Sequence, residues 1–166
     1  MTTTDHFTNA STAWDQGRLD LAFNEFLKGA RAGDEDCQIS TGYFYDNGLH
    51  VEKNQDNALF WYHKAYKAGN ASGAGNIATI WRDRKHYTKA LWWFHRAVSL
   101  GDGDALIEIA RMYEQGTGVK KSSKNAVRFY RKVLSHTSVV PHSRELAREA
   151  IQRLTPSPVD QTDQTF

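Results

Sequence analysis

Small and aromatic residues recur along the chain at a spacing that predicts α-helices. In the clearest stretch, residues 58–69, the apolar positions fall at i, i+3, i+4 and i+7 and therefore share one face of a helix. They are Ala58, Trp61, Tyr62 and Ala65. A basic residue follows the aromatic pair, and a glycine ends the stretch. The same order of residues returns, in part or in full, in three further stretches, 22–33, 90–101 and 126–133.

These stretches follow one another at a nearly constant distance. Their leading alanines are Ala22, Ala58, Ala90 and Ala126, which are 36, 32 and 36 residues apart. A period of this length predicts stacked supersecondary units rather than one globular core. Small residues also recur one helix earlier, at positions 42, 78 and 110, and small side chains allow two helix axes to approach closely. We therefore predict an all-α fold, a solenoid of about four helical hairpins.

Capping residues place the ends of several helices. Asp20, Asn54 and Ser122 stand where a side chain can accept a hydrogen bond from the first turn of a helix. Gly33 stands where a helix can end in a left-handed conformation. A last amphipathic helix is expected over residues 143–154, where it would cap the array.

Composition and charge narrow the class of protein without changing this fold. With 40% hydrophobic and 12% aromatic residues among 166, we expect one ordered repeat domain over 1–154 and a polar, disordered tail over 155–166. The net charge of +2 argues against a general binder of polyanions. The charge is nevertheless uneven, because residues 1–50 hold eight acids and three Lys or Arg (net −5), whereas 51–100 hold three and eight (net +5). Such polarity can orient a charged partner.

The single cysteine and the lack of long apolar stretches bear on the compartment. Cys37 cannot form an intramolecular disulfide, which fits a reducing compartment. The first residues show no basic and apolar leader. No stretch reaches the roughly 20 apolar residues that span a bilayer. We therefore expect a cytoplasmic protein without a membrane partner.

Two of the units resemble a known repeat. Residues 116–132 hold Gly116 and Gly118 ahead of an aromatic pair and are similar to the Sel1-like repeat, a relative of the tetratricopeptide repeat with a longer linker. Residues 48–65 match nearly as well, with His50 where that family usually has its second glycine. The third unit keeps the aromatic pair with a shorter linker, and the first unit matches only loosely. The resemblance implies a right-handed α-superhelix that binds other proteins on its concave side.

The resemblance also implies which residues would meet a partner. In such repeats the first helix of each unit lines the concave groove, and a mixture of aromatic, amide and charged side chains is typical of a specific protein interface. In unit one the matching positions are Phe7, Ser11 and Trp14. In units two to four they are Ile39, Tyr43, Asp46, Asn47, Asn76, Thr79, Arg82, Asp83, Ile107, Arg111, Glu114 and Gln115.

The chain shows no motif for catalysis, for a metal or for a cofactor. None of the seven histidines pairs at i, i+4 around a glutamate, so a helical zinc site is unsupported. His63 and His95 share one repeat position, as structural or surface residues would. Cys37 stands where later units have Gly73 and Ala105, which indicates a small packed residue rather than a nucleophile. We expect no cofactor and no metal.

These observations favour a non-catalytic protein-binding module and, in a sharper form, an inhibitor of the immunity type that holds and blocks a bacterial toxin or effector. A general adaptor or scaffold is the alternative within the same class. Nucleic-acid binding through the basic stripe 120–132 is a further alternative, although a solvated outer face is the more ordinary explanation for such a stripe. An enzyme would need a cluster of titratable groups with a nucleophile or a metal, and the sequence offers none.

Overall fold

The computed structural model describes residues 5–155, and these residues fold into nine α-helices without a strand. The helices are short, between 10 and 14 residues, as expected for hairpin repeats. In chain order they are α1 (His6–Asp15), α2 (Leu19–Ala32), α3 (Glu35–Asn47), α4 (Gln55–Ala68), α5 (Ala71–Asp83), α6 (Tyr87–Ser99), α7 (Ala105–Gln115), α8 (Ser123–Ser135) and α9 (Pro141–Leu154).

Packing between the helices follows the order of the chain. The main contacts join each helix to the next one, and α1 also touches α3. The helices α1/α2, α3/α4, α5/α6 and α7/α8 therefore form successive hairpins, and α9 packs on α8. This confirms the all-α solenoid fold, and the four hairpins followed by a helix on α8 are consistent with the predicted count and capping helix. An array of this kind buries its core between neighbouring units.

The recurring small residues lie where paired helices approach each other. Ala58, Ala90 and Ala126 are fully buried, so a larger side chain there would push the two helices of a hairpin apart. Gly42 shows the same constraint on a facing helix, since a Cβ atom at this position would lie 2.5 Å from Cε1 of Tyr62. The sequence pattern thus reports a steric requirement of the hairpin.

Most of the expected helix ends are confirmed. The side chain of Asn54 accepts hydrogen bonds from the backbone N–H groups of Asp56 and Asn57, and Ser122 caps α8 in the same way. Gly33 ends α2 at a φ of 102°, a left-handed conformation that glycine adopts without strain.

Two of the expected helix starts are wrong. The backbone N–H of Arg18 donates to the carbonyl of Ala13, and the chain turns early enough that Asp20 already lies inside α2 instead of capping it. In the first turn its negative charge still favours the helix dipole. The final helix begins at Pro141 rather than at Ser143, because proline has no N–H to leave unpaired and suits the first turn.

The aromatic pair of the repeat is buried unevenly from unit to unit. Trp61 is only 7% exposed and lies in the core that the first two units share. Trp93, its equivalent, is only partly buried, edge-on to Tyr66 with the ring centroids 5.0 Å apart. Burial between units is therefore nearly complete for Trp61 and only partial for Trp93.

The predicted tail, residues 155–166, lies outside the described residues apart from Thr155. Among the helices of residues 5–155, none combines the length and the apolar composition that a membrane crossing needs.

Candidate protein-binding groove

The first helices of the hairpins, α1, α3, α5 and α7, carry the residues expected to line a groove. Two of these helices, α1 and α3, touch each other and enclose a hollow of about 370 Å³. The structure thus brings together one third of the expected groove residues in a single concave site. These are Phe7, Ser11, Trp14, Ile39 and Tyr43.

Aromatic rings dominate this hollow. The ring of Trp14 stands edge-on to Phe44, with the centroids 5.0 Å apart, and lies 6.0 Å from the ring of Tyr43. The ring of Phe7 lies 5.8 Å from that of Phe26. Phe7 and Tyr43 nevertheless remain 38% and 44% exposed. Two large rings of the lining are therefore still exposed to solvent.

Sequence reasoning missed three side chains that line the hollow. Phe26 belongs to α2, a second helix, yet its ring reaches the site. It occupies the repeat position of Tyr62, which is a buried core residue, so the repeat pattern gave no signal that Phe26 lines a hollow. Ser40 adds a hydroxyl, and Asp15 is the one charged residue of the lining.

A second hollow, of about 460 Å³, lies between α5, α7 and the start of α9. Asn76 and Thr79 line it from α5, and Arg111 lines it from α7. Asp102 and Asp104 add carboxylates from the turn before α7, and burial raises the pKa of Asp102. These walls offer hydrogen bonds and charge, in contrast to the apolar lining between α1 and α3.

A cluster of charged side chains joins α5 to α7. Nη1 of Arg82 lies 2.7 Å from Oε2 of Glu108, and Nη1 of Arg111 lies 2.9 Å from Oε1 of the same carboxylate. Oδ1 of Asp83 lies 3.6 Å from Nε of Arg82. The expected groove residues Arg82 and Arg111 are therefore held in place by Glu108, which sequence reasoning did not single out. Its spacing of three residues from Arg111 was the available signal.

Asp46 and Asn47 lie in the last turn of α3 and make contacts within the fold. Nδ2 of Asn47 donates to the carbonyl of Tyr43 at 3.0 Å, and Nε2 of Gln55 donates to Asp46 at 3.4 Å. Burial raises the pKa of the half-buried Asp46 carboxyl. The side chain of Asn47 is exposed, and so is that of Gln115, which occupies the equivalent position in α7.

Two expected contact residues are placed where a partner has little access to them. Ile107 is 4% exposed and belongs to the core of the last two units. Glu114 accepts hydrogen bonds from the hydroxyl of Tyr130, at 2.8 Å, and from Nη1 of Arg153. The Arg153 guanidinium, helped by Tyr130, lowers the pKa of Glu114. Ile107 stabilises the fold around α7 through its place in the core, and Glu114 does so through its salt bridge with Arg153.

The basic stripe of residues 120–132 lies on the outer surface of α8 and the turn before it. Its Lys and Arg side chains are all exposed, and none of them forms an ion pair within residues 5–155. Arg128 and Lys132 lie over the ring of Phe129, at 5.2 and 5.1 Å from its centroid. The repeat position of Arg128 is held by Phe60 in unit two and by Trp92 in unit three. Both rings are also exposed (54% and 50%).

The cysteine and the two repeat-equivalent histidines pack against other side chains, although His95 is exposed and His63 is half-buried. Burial raises the pKa of the Cys37 thiol to about 12, and its Sγ lies 2.4 Å from where a Cβ on Gly29 would be. His63 packs edge-on to Trp93 and His95 to Phe129, and burial lowers the pKa of both imidazoles. Across the described part of the chain, no three His, Cys, Asp or Glu side chains group together as metal ligands.

Comparison with known proteins identifies the repeat. The sequence profile of the Sel1 repeat matches residues 36–70, 83–102 and 103–132. The component HRD3 of the ERAD-associated E3 ubiquitin-protein ligase of Candida glabrata is 32% identical over 128 residues, which cover 72% of this chain and 15% of that protein. The chain therefore spans about 15% of the length of this curated relative.

Solved structures show the same architecture. A protective antigen of uropathogenic Escherichia coli, described as displaying an SLR fold, superposes with a TM-score of 0.71 at 26% identity, over 89% of this chain and 33% of that one. A Sel1 repeat protein of Oxalobacter formigenes gives 0.70 at 26% identity, over 92% and 66%. The cysteine-rich protein B of Helicobacter pylori shares the fold alone, with a TM-score of 0.55 at 17% identity over 77% of this chain and 93% of that one.

Proposed function

The chain belongs to the Sel1 repeat family, and we propose that it is a non-catalytic protein-binding module that holds a protein partner in the groove of α1, α3, α5 and α7. Sel1 repeats mediate protein–protein interactions in the proteins that carry them. The observation that carries the proposal for this chain is the hollow between α1 and α3, where Phe7 and Tyr43 stay exposed beside Trp14.

An apolar side chain of the partner that enters this hollow would stabilise the complex. Fully burying one Leu or Phe side chain contributes about 1.5–3 kcal/mol, and Trp and Tyr are common affinity anchors in interfaces. The ring of Trp14 is already held against Phe44, and that of Phe7 against Phe26. Little conformational entropy is therefore lost when a partner binds, which favours affinity.

The charged cluster between α5 and α7 would orient the partner. Glu108 holds Arg82 and Arg111, and the side chains of both arginines remain partly exposed (37% and 43%). Their remaining N–H groups can donate to carboxylate or carbonyl oxygens of a partner. Charges at such positions contribute to specificity and to the association rate more than to affinity.

Within this class we propose an inhibitor of the immunity type, which would hold a bacterial toxin or effector and block it. The described helices present a binding surface without a catalytic cluster, and such a module acts by occupying the surface of its partner. An adaptor is the second candidate, and the likeness to HRD3, a ligase component, favours it. The two roles are separable, because an inhibitor abolishes the activity of its partner, whereas an adaptor leaves that activity intact and holds a second protein.

Affinity purification from the native host, with the wild-type chain beside two matched variants, tests the groove. Tyr43→Ala with Arg111→Ala removes one exposed ring and one exposed guanidinium, while Glu108 keeps its pair with Arg82. Phe60→Ala with Arg131→Ala removes the same side-chain types from the outer surface. We expect the groove variant to lose at least about tenfold in affinity for the retained protein, which corresponds to about 1.4 kcal/mol.

The outer-surface variant should retain the partner, and both variants should melt within a few degrees of the wild type, since all four side chains are at the surface. Loss of the partner from the outer-surface variant alone would move the working surface to the basic stripe. If nuclease treatment releases the retained partner, nucleic-acid binding is favoured instead.

A further inference from the structure

We infer that the hollow between α1 and α3 recognises a partner segment in which one bulky apolar side chain is flanked by lysine or arginine. This inference rests on the proposed protein-binding function and names the chemistry of the segment that enters the groove. It follows from two independent features of the hollow, its lining and the charge of its walls.

The lining selects an apolar side chain. Phe7, Trp14, Phe26, Ile39 and Tyr43 surround a volume of about 370 Å³, which lies at the small end of the range for ligand pockets. The site is open to solvent on one side, because two of these rings are exposed. A single aromatic or large aliphatic side chain on an extended or helical segment suits a site of this size and shape.

The two helices that bound the hollow form an acidic wall, because they and their N-caps carry acids and no Lys or Arg, and Asp15 is the one of these acids that lines the hollow itself. Between residues 5 and 17 and between 34 and 47, which include α1, α3 and their N-caps, there are six acids and no Lys or Arg. Two of these acids cap helices, since Asp5 accepts from the N–H of Thr8 and Asp34 from that of Cys37. The six are Asp5, Asp15, Asp34, Glu35, Asp36 and Asp46.

Two basic side chains of the first hairpin face away from the hollow between α1 and α3. Arg18 and Lys28 line a different hollow, together with His6 and Glu25. Along α1 the residues of that hollow lie on the helix face opposite to Phe7 and Trp14, as their positions in the 3.6-residue turn require. Lys28 is also paired with Glu25, with Nζ 2.6 Å from Oε1.

An acidic wall beside an apolar hollow favours basic residues at the flanking positions of the segment. Opposite charges on the partner would be steered toward the site and would fix the register of the segment, whereas acidic residues would be repelled. A nucleic-acid strand or an anionic membrane carries the wrong sign for the same reason. The partner is therefore a protein segment with an apolar anchor between basic residues.

Selection from random peptides tests this chemistry directly. A phage-displayed library of random twelve-residue peptides is panned on the wild-type chain, and the enriched peptides are then synthesised. We expect them to share one Trp, Phe, Leu or Met between Lys or Arg residues. Their affinity should fall at least about tenfold for Tyr43→Ala and stay unchanged for Phe60→Ala, an exposed aromatic of the outer surface.

The outcomes separate this inference from the proposed function. Enriched peptides that are acidic, or that lack an apolar anchor, and whose binding is lost with Arg111→Ala would overturn the inference while the groove remains the binding surface. Peptides that bind Tyr43→Ala and Arg111→Ala like the wild type, but fail to bind Phe60→Ala, would overturn both. A library that yields no enriched peptide counts against the inference, and the partner's behaviour in the host purification then decides the function.

Discussion

At the scale of single residues, the linker after the first helix of a unit shows how the repeat uses backbone conformation. Gly118 of unit four and His50 of unit two occupy the same position, and their φ angles are 71° and 59°. This left-handed region costs an L-amino acid roughly 1–2 kcal/mol, and glycine nothing. The family pattern has a glycine here for a physical reason, and His50 bears the strain that Gly118 avoids.

A pair of substitutions tests this account of the linker. His50→Gly should raise the free energy of unfolding by about 0.5–1 kcal/mol, since the strain is removed while only a loose ring contact with Phe23, 6.2 Å between centroids, is lost. Gly118→Ala should lower it by about 1–3 kcal/mol, because the new Cβ would lie 2.6 Å from the backbone carbon of Tyr87. Urea unfolding monitored by circular dichroism measures both. Equal effects of the two substitutions in the same direction would contradict the account.

The two repeat-equivalent tryptophans give a second prediction at this scale. Trp61→Ala should cost roughly 3–5 kcal/mol, because its side chain is buried in the shared core of the first two units. Trp93→Ala should cost less, about 1–3 kcal/mol, since that ring is only partly buried. Chemical unfolding of both variants at one pH checks the order, and a larger loss for Trp93→Ala would show that the core is centred elsewhere.

At the scale of helices, one carboxylate of α7 contacts both α8 and α9. Glu114 of α7 accepts from the hydroxyl of Tyr130 on α8 and from the guanidinium of Arg153 on α9. Three helices that a repeat pattern treats as separate elements are thus joined at one point. The capping helix is therefore held by a specific contact as well as by its apolar face.

This contact predicts how stability changes with pH. Arg153 and Tyr130 lower the pKa of Glu114 in the folded protein below its ordinary value of 4.5, so ionised Glu114 favours the folded state. Its contribution is fully present above pH 4.5 and is lost as the pH falls through the lowered, folded-state pKa. Glu114→Gln should cost about 1–2 kcal/mol at neutral pH, and the difference from the wild type should shrink toward pH 3. Unfolding curves between pH 7 and pH 3 measure this difference.

A matched control separates the tertiary contact from a general effect of charge. Glu149→Gln removes an exposed carboxylate from α9 without breaking an ion pair within residues 5–155. It should leave both the stability and its pH dependence close to those of the wild type. A constant difference between Glu114→Gln and the wild type at every pH would mean that Glu114 acts through packing alone.

The helices and their contacts also show which features could be predicted from the sequence. Periodicity located the helices, and capping chemistry located most of their ends, because both depend on residues close in the chain. The contacts of Glu114 with Tyr130 and Arg153, and that of Glu108 with Arg82, join residues that are 16 to 39 positions apart, and no repeat spacing encodes them. The structure brings five of the expected groove residues to one hollow, whereas the side chain of Ile107 is buried and that of Glu114 is paired within the fold. That these residues bind a partner stays a prediction.

At the scale of the whole molecule, charge changes sign along the array. Residues 1–50 carry a net charge of −5 and residues 51–100 one of +5, and the hollow between α1 and α3 lies in the acidic part. A charged surface acts over roughly 8 Å at physiological salt, which is farther than any contact. Electrostatic attraction should therefore govern the association rate of a basic segment, and the aromatic hollow should govern its dissociation rate.

Binding kinetics of an enriched peptide, or of the native partner, can separate these two contributions. Asp15→Asn with Glu35→Gln removes one negative charge from the lining and one from the first turn of α3, and leaves every aromatic ring in place. This variant should bind severalfold more slowly at low salt, with a weaker dependence of the association rate on salt and a nearly unchanged dissociation rate.

Tyr43→Ala should do the reverse, since it removes an apolar anchor and no charge. It should dissociate at least about tenfold faster while its association rate keeps the salt dependence of the wild type. Surface plasmon resonance between about 50 and 500 mM salt resolves both rates. Charge variants that change only dissociation would show that the acids contact the partner directly, and the acidic wall would then have no role in steering.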